Sequence, residues 1–274
     1  MTANQNELVL GVRNLSKQYV QRRPLTRVKF SVQAFQDVNL SIRRRTTLAI
    51  VGESGAGKSS LARCLALLEA PTQGEIWSEG QNLLRLRTSD RFPIHRQIQL
   101  VFQDPTSALN PRFTASDIIA EPLLVQRIGT NAQRRERALG LMEQVGLPSE
   151  CARKFPCEFS GGQRQRLAIA RALALEPKLL IFDEILSNLD LANQEIILQL
   201  LSDLQKANSL SYIHVCHDPH VVSRIADEVA VMHAGRMVEQ KPSAELFVNP
   251  GDPHTRELLG AMPSLELTST ERSN

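Results

Sequence analysis

The sequence predicts an α/β protein with a mostly parallel sheet, helices on both faces of it, and a helical subdomain inserted into that core. Three observations lead there. A short apolar strand, LAIV, runs into a glycine-rich loop and then into a helical pattern, SSLARCLALL. Strand and helix alternate again in the second half, as KLLIF, LANQEIILQLLSDLQKA, SYIHV, HVVSRIA and EVAVM. Between the two, from Thr114 to about Glu158, polar helix-forming stretches such as NAQRRERALGLMEQV replace the strand signal, with Pro148 and Pro156 as breaks.

Taken in chain order, β-rich segments come first: LVLGVRNL, FQDVNLSI and TTLAIV. The last strand, EVAVM, ends at a turn over Ala234-Gly235, and the closing LELTSTERSN is polar and aperiodic, as a frayed tail would be. With 274 residues, 42% of them hydrophobic, the chain can bury a substantial core. It has no apolar run near the roughly 18 residues of a spanning helix, and MTANQNELVL lacks the basic-then-apolar order of a signal peptide, so a cytoplasmic location is expected. Four cysteines without zinc or redox spacing (Cys64, Cys151, Cys157, Cys216) read as reduced structural thiols. The charge of +3 leaves Lys+Arg 32 nearly balanced by Asp+Glu 29, and Arg22-Arg23 and Arg43-Arg44-Arg45 read as solvated surface, with no nucleic-acid partner.

Gly52-Glu53-Ser54-Gly55-Ala56-Gly57-Lys58-Ser59 satisfies G-x-x-x-x-G-K-[ST] between a strand and a helix, the context in which this pattern holds phosphate. Glycines let the backbone wrap a polyphosphate with its N–H groups pointing inward, and the helix start adds partial positive charge. In that arrangement Lys58 neutralises the outer phosphates of ATP and Ser59 holds Mg²⁺. Downstream, Ser160-Gly161-Gly162-Gln163-Arg164-Gln165-Arg166 opens the helix LAIARALAL, and the strand LLIF ends in Asp183 and Glu184. An aspartate at a strand end suits Mg²⁺ or its water shell, and an adjacent glutamate suits activation of an attacking water. Ser160 reads as an N-cap, with glycines that permit close backbone approach to a second phosphate.

From about Leu8 to Gln240 the order of these segments resembles an ABC ATPase: SGGQRQR the signature motif, KLLIFDE the Walker B strand, Ser187-Asn188-Leu189-Asp190 the D-loop, Gln103 the Q-loop and His217 the switch histidine. The resemblance implies a P-loop NTPase (RecA-like) core with an N-terminal antiparallel β-subdomain and an inserted α-helical subdomain at about 112–172. The ATPase domain would span 8–250, followed by a family-type extension and polar tail at 251–274. It also implies Glu184, His217 and Gln103 as catalytic residues, and Ser59, Gln103 and Asp183 as the Mg²⁺ set. Tyr19 would stack on adenine; Ser60 would join the phosphate loop; Ser160, Gly161, Gly162 and Gln163 would face the ATP of a second subunit. That composite site implies a head-to-tail dimer, with a paralogous ATPase or, as the alternative, a second copy of the chain, on two transmembrane permease subunits served by an extracytoplasmic binding protein, the whole at the cytoplasmic face of the membrane.

QDPTSALNPR and NPGDPHTRELLGAMP resemble the peptide and nickel import branch, and within it the second of two paired ATPases. Departures from the family pattern are Ile185 and Asn188 in DEILSNLD, Phe159 before SGGQ, and Cys216 before the switch histidine; none removes a catalytic group. With Cys216 the last cysteine, the iron–sulfur cluster of some members is not expected. An ABC ATPase acting on ribosomes or DNA is the competing function, and one phosphate loop without heptads argues against it. His214-Val215-Cys216-His217-Asp218-Pro219-His220 invites a zinc or nickel reading, but a strand followed by a turn does not bring these side chains to one ion. Only His217 is given a role, as sensor of the terminal phosphate.

Overall fold

A computed structural model of the chain describes residues 7–22, 29–187 and 189–260, so Asn188 of the expected D-loop and the tail after Gly260 lie outside the described residues. Two long strands, β1 (Leu8–Arg22) and β2 (Lys29–Arg43), pair antiparallel. β3 (Thr47–Gly52) runs into α1 (Lys58–Leu65). β4 (Gln73–Ser78) and β5 (Gln81–Asn82) then return to β1, completing a four-stranded antiparallel sheet of order β2-β1-β4-β5. A one-turn helix α2 (Ile94–Gln97) precedes β6 (Ile98–Val101). The helical subdomain follows as α3 (Pro105–Ala108), α4 (Ala115–Val125), α5 (Asn131–Gln144) and α6 (Gly161–Leu173). The chain re-enters the core through β7 (Leu179–Asp183), α7 (Leu191–Asn208), β8 (Ser211–Val215) and α8 (Pro219–Ile225). It closes with β9 (Glu228–His233), β10 (Arg236–Pro242), α9 (Ser243–Val248) and α10 (Pro253–Gly260).

The core sheet has six strands in the order β10-β9-β3-β8-β7-β6, parallel throughout except for the antiparallel edge β10. Its central strands are buried at every position, as TLAIVG, LLIFD and SYIHV require of a sheet covered on both faces. The pleat deals alternate residues to opposite sides. Leu48, Ile50, Ile181 and Ile213 pack with Leu61 and Leu65 of α1 and with the antiparallel sheet. Leu180, Phe182 and Tyr212 pack with Leu201 of α7 and with the helical subdomain. Each such side chain contributes roughly 1.5–3 kcal/mol on burial. In the helical subdomain, reciprocal capping boxes start α4 (Thr114 with Asp117), α5 (Thr130 with Gln133) and α6 (Ser160 with Gln163), each satisfying two otherwise unpaired backbone donors.

Register fixes the site. Ile50 lies beside Val215, and Val215 beside Asp183, so the carboxyl ends of β3, β8 and β7 finish level. Gly52, His217 and Glu184 follow within one or two residues of those ends, where open parallel sheets present their ligand sites. The architecture matches the expected phosphate-loop core with an antiparallel β-subdomain and a helical subdomain. Three strands were not expected: β4 and the two-residue β5 of the antiparallel sheet, and β10, RMVEQKP, a half-buried edge strand that alternates too weakly to stand out. Among the described residues no helix is long and apolar enough to cross a membrane.

Candidate nucleotide site

The loop between β3 and α1 is held open by two glycines. A Cβ at Gly52 would lie 2.1 Å from the Met232 carbonyl oxygen of β9, and one at Gly57 would lie 2.2 Å from that of Ala34 in β2. Only glycine lets the loop run so close to both sheets. Glu53, Ser54 and Gly55 form its exposed crown, while Ala56 turns inward. Lys58 is buried, and its Nζ donates to the carbonyl oxygens of Gly52 and Glu53, each at 2.8 Å. Burial draws this ammonium below the usual lysine range, and the neighbouring Glu184 and Asp183 carboxylates pull the other way.

Ser59 and Asp183 meet across the core, with Ser59 Oγ donating to Asp183 Oδ1 at 2.8 Å. Desolvation pushes the buried Asp183 carboxyl up and the Glu184 charge adds to this, while the Ser59 bond pulls it down. Glu184 leaves β7 in a left-handed conformation, φ 51°, with its N–H donating to the Val215 carbonyl at 3.0 Å. A non-glycine residue held there stores strain, a feature concentrated at functional sites. Its carboxylate accepts a 3.0 Å hydrogen bond from Gln103 Nε2 and lies 3.8 Å from His217 Nδ1. Ser187 joins the group, its Oγ 3.5 Å from Gln103 Nε2 and 2.9 Å from the Glu184 carbonyl oxygen.

Tyr19 on β1 reaches the same helix. Its hydroxyl donates to Glu69 Oε2 at 2.6 Å and shares a 3.3 Å hydrogen bond with Ser60 Oγ of α1. The SGGQ turn behaves differently: Ser160 and Gln163 bond each other, with Gln163 N to Ser160 Oγ at 3.3 Å and Ser160 N to Gln163 Oε1 at 3.0 Å, and both side chains are exposed. Gly161 is exposed as well. A Cβ at the buried Gly162 would lie 2.8 Å from Asn193 Oδ1 of α7, so glycine here lets α6 sit against α7.

His214 is buried and packs against Phe182, ring centroids 4.6 Å apart, with burial driving its imidazole down to about 3. It faces the core, whereas His217 is exposed beside Glu184; the His220 side chain lies outside the described residues. Sequence reasoning missed Glu69 and Asn193. Neither sits in a motif, and only the fold brings Glu69 to Tyr19, 50 residues away.

A phosphate loop at the end of β3, two acidic residues at the end of β7 and a glutamine and histidine converging on one of them are together the working parts of a nucleotide hydrolase. Comparison with known proteins agrees. The ABC transporter family profile matches residues 35–187. The dipeptide transport ATP-binding protein DppF of Haemophilus influenzae is 42% identical over 261 residues, covering 95% of this chain and 80% of that protein. The oligopeptide transport ATP-binding protein OppD of Mycobacterium tuberculosis is 46% identical over 258 residues, covering 93% of this chain and 42% of that protein. Among solved structures, the dimeric ATP-binding cassette MJ0796 in a post-hydrolysis state with ADP and Pi superposes with a TM-score of 0.75 at 30% identity, covering 85% of this chain and 98% of that one. The chain therefore belongs to the ABC transporter family, as an ATP-binding and ATP-hydrolysing subunit.

Proposed function

We propose that the chain is one of two paired ATPases powering the import of short peptides across a membrane. The observation that carries its motor role is the convergence of Gln103 and His217 on Glu184, level with the phosphate loop. On ATP binding, Lys58 exchanges its two loop carbonyls for the outer phosphates, and the N–H groups of Glu53 to Gly57 line the polyphosphate. Ser59 and Asp183 offer Mg²⁺ a hydroxyl and a carboxylate, the hard oxygen donors this ion takes, and the Gln103 side-chain oxygen is the third. Held there, Mg²⁺ would supply positive charge against the outer phosphates. Glu184 accepts a proton from the attacking water, Gln103 orients its carboxylate, and His217 contacts the terminal phosphate. Tyr19 stacks on the adenine, with Ser60 beneath it on α1.

Ser160, Gly161, Gly162 and Gln163 serve the nucleotide bound to a second, paralogous ATPase, so each complete site is shared by two chains. The mechanical output passes through the groove beside Gln103. Phe92, Phe102 and Val125 line it, and all three are exposed to solvent. A helix from a transmembrane permease subunit fits there, holding the ATPase pair at the cytoplasmic face, and an extracytoplasmic binding protein delivers the cargo from the other side. The dipeptide and oligopeptide names of the relatives support peptides as that cargo. Reconstituting the chain with its paired ATPase and permease subunits in proteoliposomes tests this: ATP-driven accumulation of di- and tripeptides is expected. Accumulation of nickel chelates without peptides would overturn the cargo assignment.

A further inference from the structure

We infer that Glu69 is a positioning residue for nucleotide binding: it locks the ring of Tyr19 in the orientation that receives the base and ties that ring to the phosphate-loop helix. The inference rests on the reading of Tyr19 as the adenine-stacking residue and adds to it. Glu69 lies just past α1, and its Oε2 accepts the Tyr19 hydroxyl at 2.6 Å. The same carboxylate is flanked by Lys17 Nζ at 3.5 Å and by Arg63 Nη1 at 3.6 Å. Lys17 is itself fixed, donating to the Ala70 carbonyl oxygen at 2.8 Å.

The arrangement does three things. An aromatic side chain on a strand keeps freedom about two torsions, and stacking on a base requires one setting of them; the hydroxyl tie supplies it before the nucleotide arrives. Lys17 Nζ stands 4.8 Å from the ring centroid, so one face of Tyr19 is covered by a cation and the opposite face is the one left for a base. The hydroxyl also contacts Ser60 of α1, and Arg63 is on the same helix, so base and phosphates are received by one rigid unit. Two cations around one carboxylate keep Glu69 from repelling the incoming polyphosphate. The Glu69 carboxyl is held below its usual range, first by the Tyr19 hydrogen bond.

The test separates base from phosphate. Dissociation constants for Mg-ATP and for Mg-tripolyphosphate, which has no base, are measured by calorimetry on the full chain and on Tyr19→Ala, Tyr19→Phe, Glu69→Ala, Glu69→Gln and the Tyr19→Phe/Glu69→Ala double variant. Tyr19→Ala is expected to weaken ATP about five- to hundredfold, the range of one aromatic–base stack, and to leave tripolyphosphate unchanged. Glu69→Ala and Tyr19→Phe should each weaken ATP roughly three- to tenfold with tripolyphosphate unchanged. The double variant should be no worse than either single one, because both remove the same bond. Glu69→Gln keeps an acceptor and should bind ATP close to the parent. If Tyr19→Ala weakens ATP while Glu69→Ala and Tyr19→Phe do not, Glu69 has no positioning role and the stacking assignment stands. If Tyr19→Ala binds ATP like the parent, the stacking assignment fails instead. Equal losses of ATP and tripolyphosphate in Glu69→Ala would mean that α1 itself is disturbed, which also overturns the inference; should that variant not fold, Tyr19→Phe carries the same comparison.

Discussion

Ser59 Oγ and Asp183 Oδ1 are joined by a 2.8 Å hydrogen bond that links the first turn of α1 to the carboxyl end of β7. The two residues are 124 positions apart in the chain, and the bond holds a hydroxyl and a carboxylate oxygen as a preformed pair. The pair would offer a hard cation two oxygen donors, and positive charge there would offset the desolvation that pushes Asp183 up. Lys58 and Glu184 adjoin the pair in sequence, so the residues proposed to meet phosphate charge, cation and attacking water are neighbours in the chain.

Lys58 brings positive charge into the loop from a buried position. Lys58→Ala removes it and leaves two carbonyl oxygens at the loop base, those of Gly52 and Glu53, without their donor. Loss of a charge-stabilising donor is worth roughly 10²–10³ in turnover. ATPase activity of the assembled transporter should fall by that order, with the circular dichroism of the chain unchanged. Unchanged turnover would remove the phosphate role from this loop.

Glu184→Gln keeps the side-chain volume and the Gln103 contact but cannot take a proton. Hydrolysis should slow by roughly 10²- to 10⁴-fold, the usual worth of general-base assistance, while ATP binding persists. The expected product is an ATP-bound dimer, visible as a shift in size-exclusion chromatography when ATP is present. Near-parental hydrolysis would move the base elsewhere.

The loop GESGAGKS, the pair Asp183-Glu184 and the turn SGGQ were legible in the sequence because each is contiguous, and its chemistry depends on local backbone. Gln103 and His217 were legible only through family resemblance, since 81 residues separate Gln103 from the carboxylate it touches. Glu69 was not legible at all: its partners Lys17, Tyr19 and Arg63 lie on two elements that only the sheet and α1 bring together. For His214 the pattern argued against a metal ligand but could not decide between core and surface. Alternation separates inside from outside only when one face is wet, and SYIHV is buried on both.

His214 also makes stability depend on pH. Its imidazole is buried and neutral in the fold, with its value driven down to about 3, against about 6.5 in an unfolded chain. Between these values the unfolded state binds the proton and the folded state does not. Stability from this residue is therefore fully present above about pH 6.5 and is lost as pH falls toward 3, by at most about 1.4 kcal/mol per pH unit. His214→Phe keeps an aromatic ring against Phe182 and has nothing to protonate. Urea midpoints measured from pH 4.5 to pH 7.5 should fall less steeply on acidification in the variant than in the parent. Identical slopes would show that His214 is not held neutral by burial.

The last prediction concerns assembly. Lys58, Ser59, Asp183 and Glu184 gather around one phosphate loop, whereas the Ser160 and Gln163 side chains cap each other's backbone N–H and stay exposed, with Gly161 beside them. A helix start with two glycines is suited to an anion, and its capping contacts stay within its own turn. On the proposed pairing the nucleotide it serves belongs to the paired ATPase, and the isolated chain should be slow. Ser160→Arg places a long side chain where a phosphate must come close to backbone, and Ser160→Ala removes only the cap, at about 1 kcal/mol of helix stability. ATPase activity should be measured for the chain alone, for the chain with its paired ATPase, and for the full complex in lipid, each with Ser160, Ala or Arg at this position. The expected order is little activity alone and most in the full complex. The arginine variant should lose most of the complex's activity, and the alanine variant far less, while ATP binding to the isolated chain is unchanged in both. A monomer with full activity, or a complex indifferent to Ser160→Arg, would mean that each site is complete within one chain.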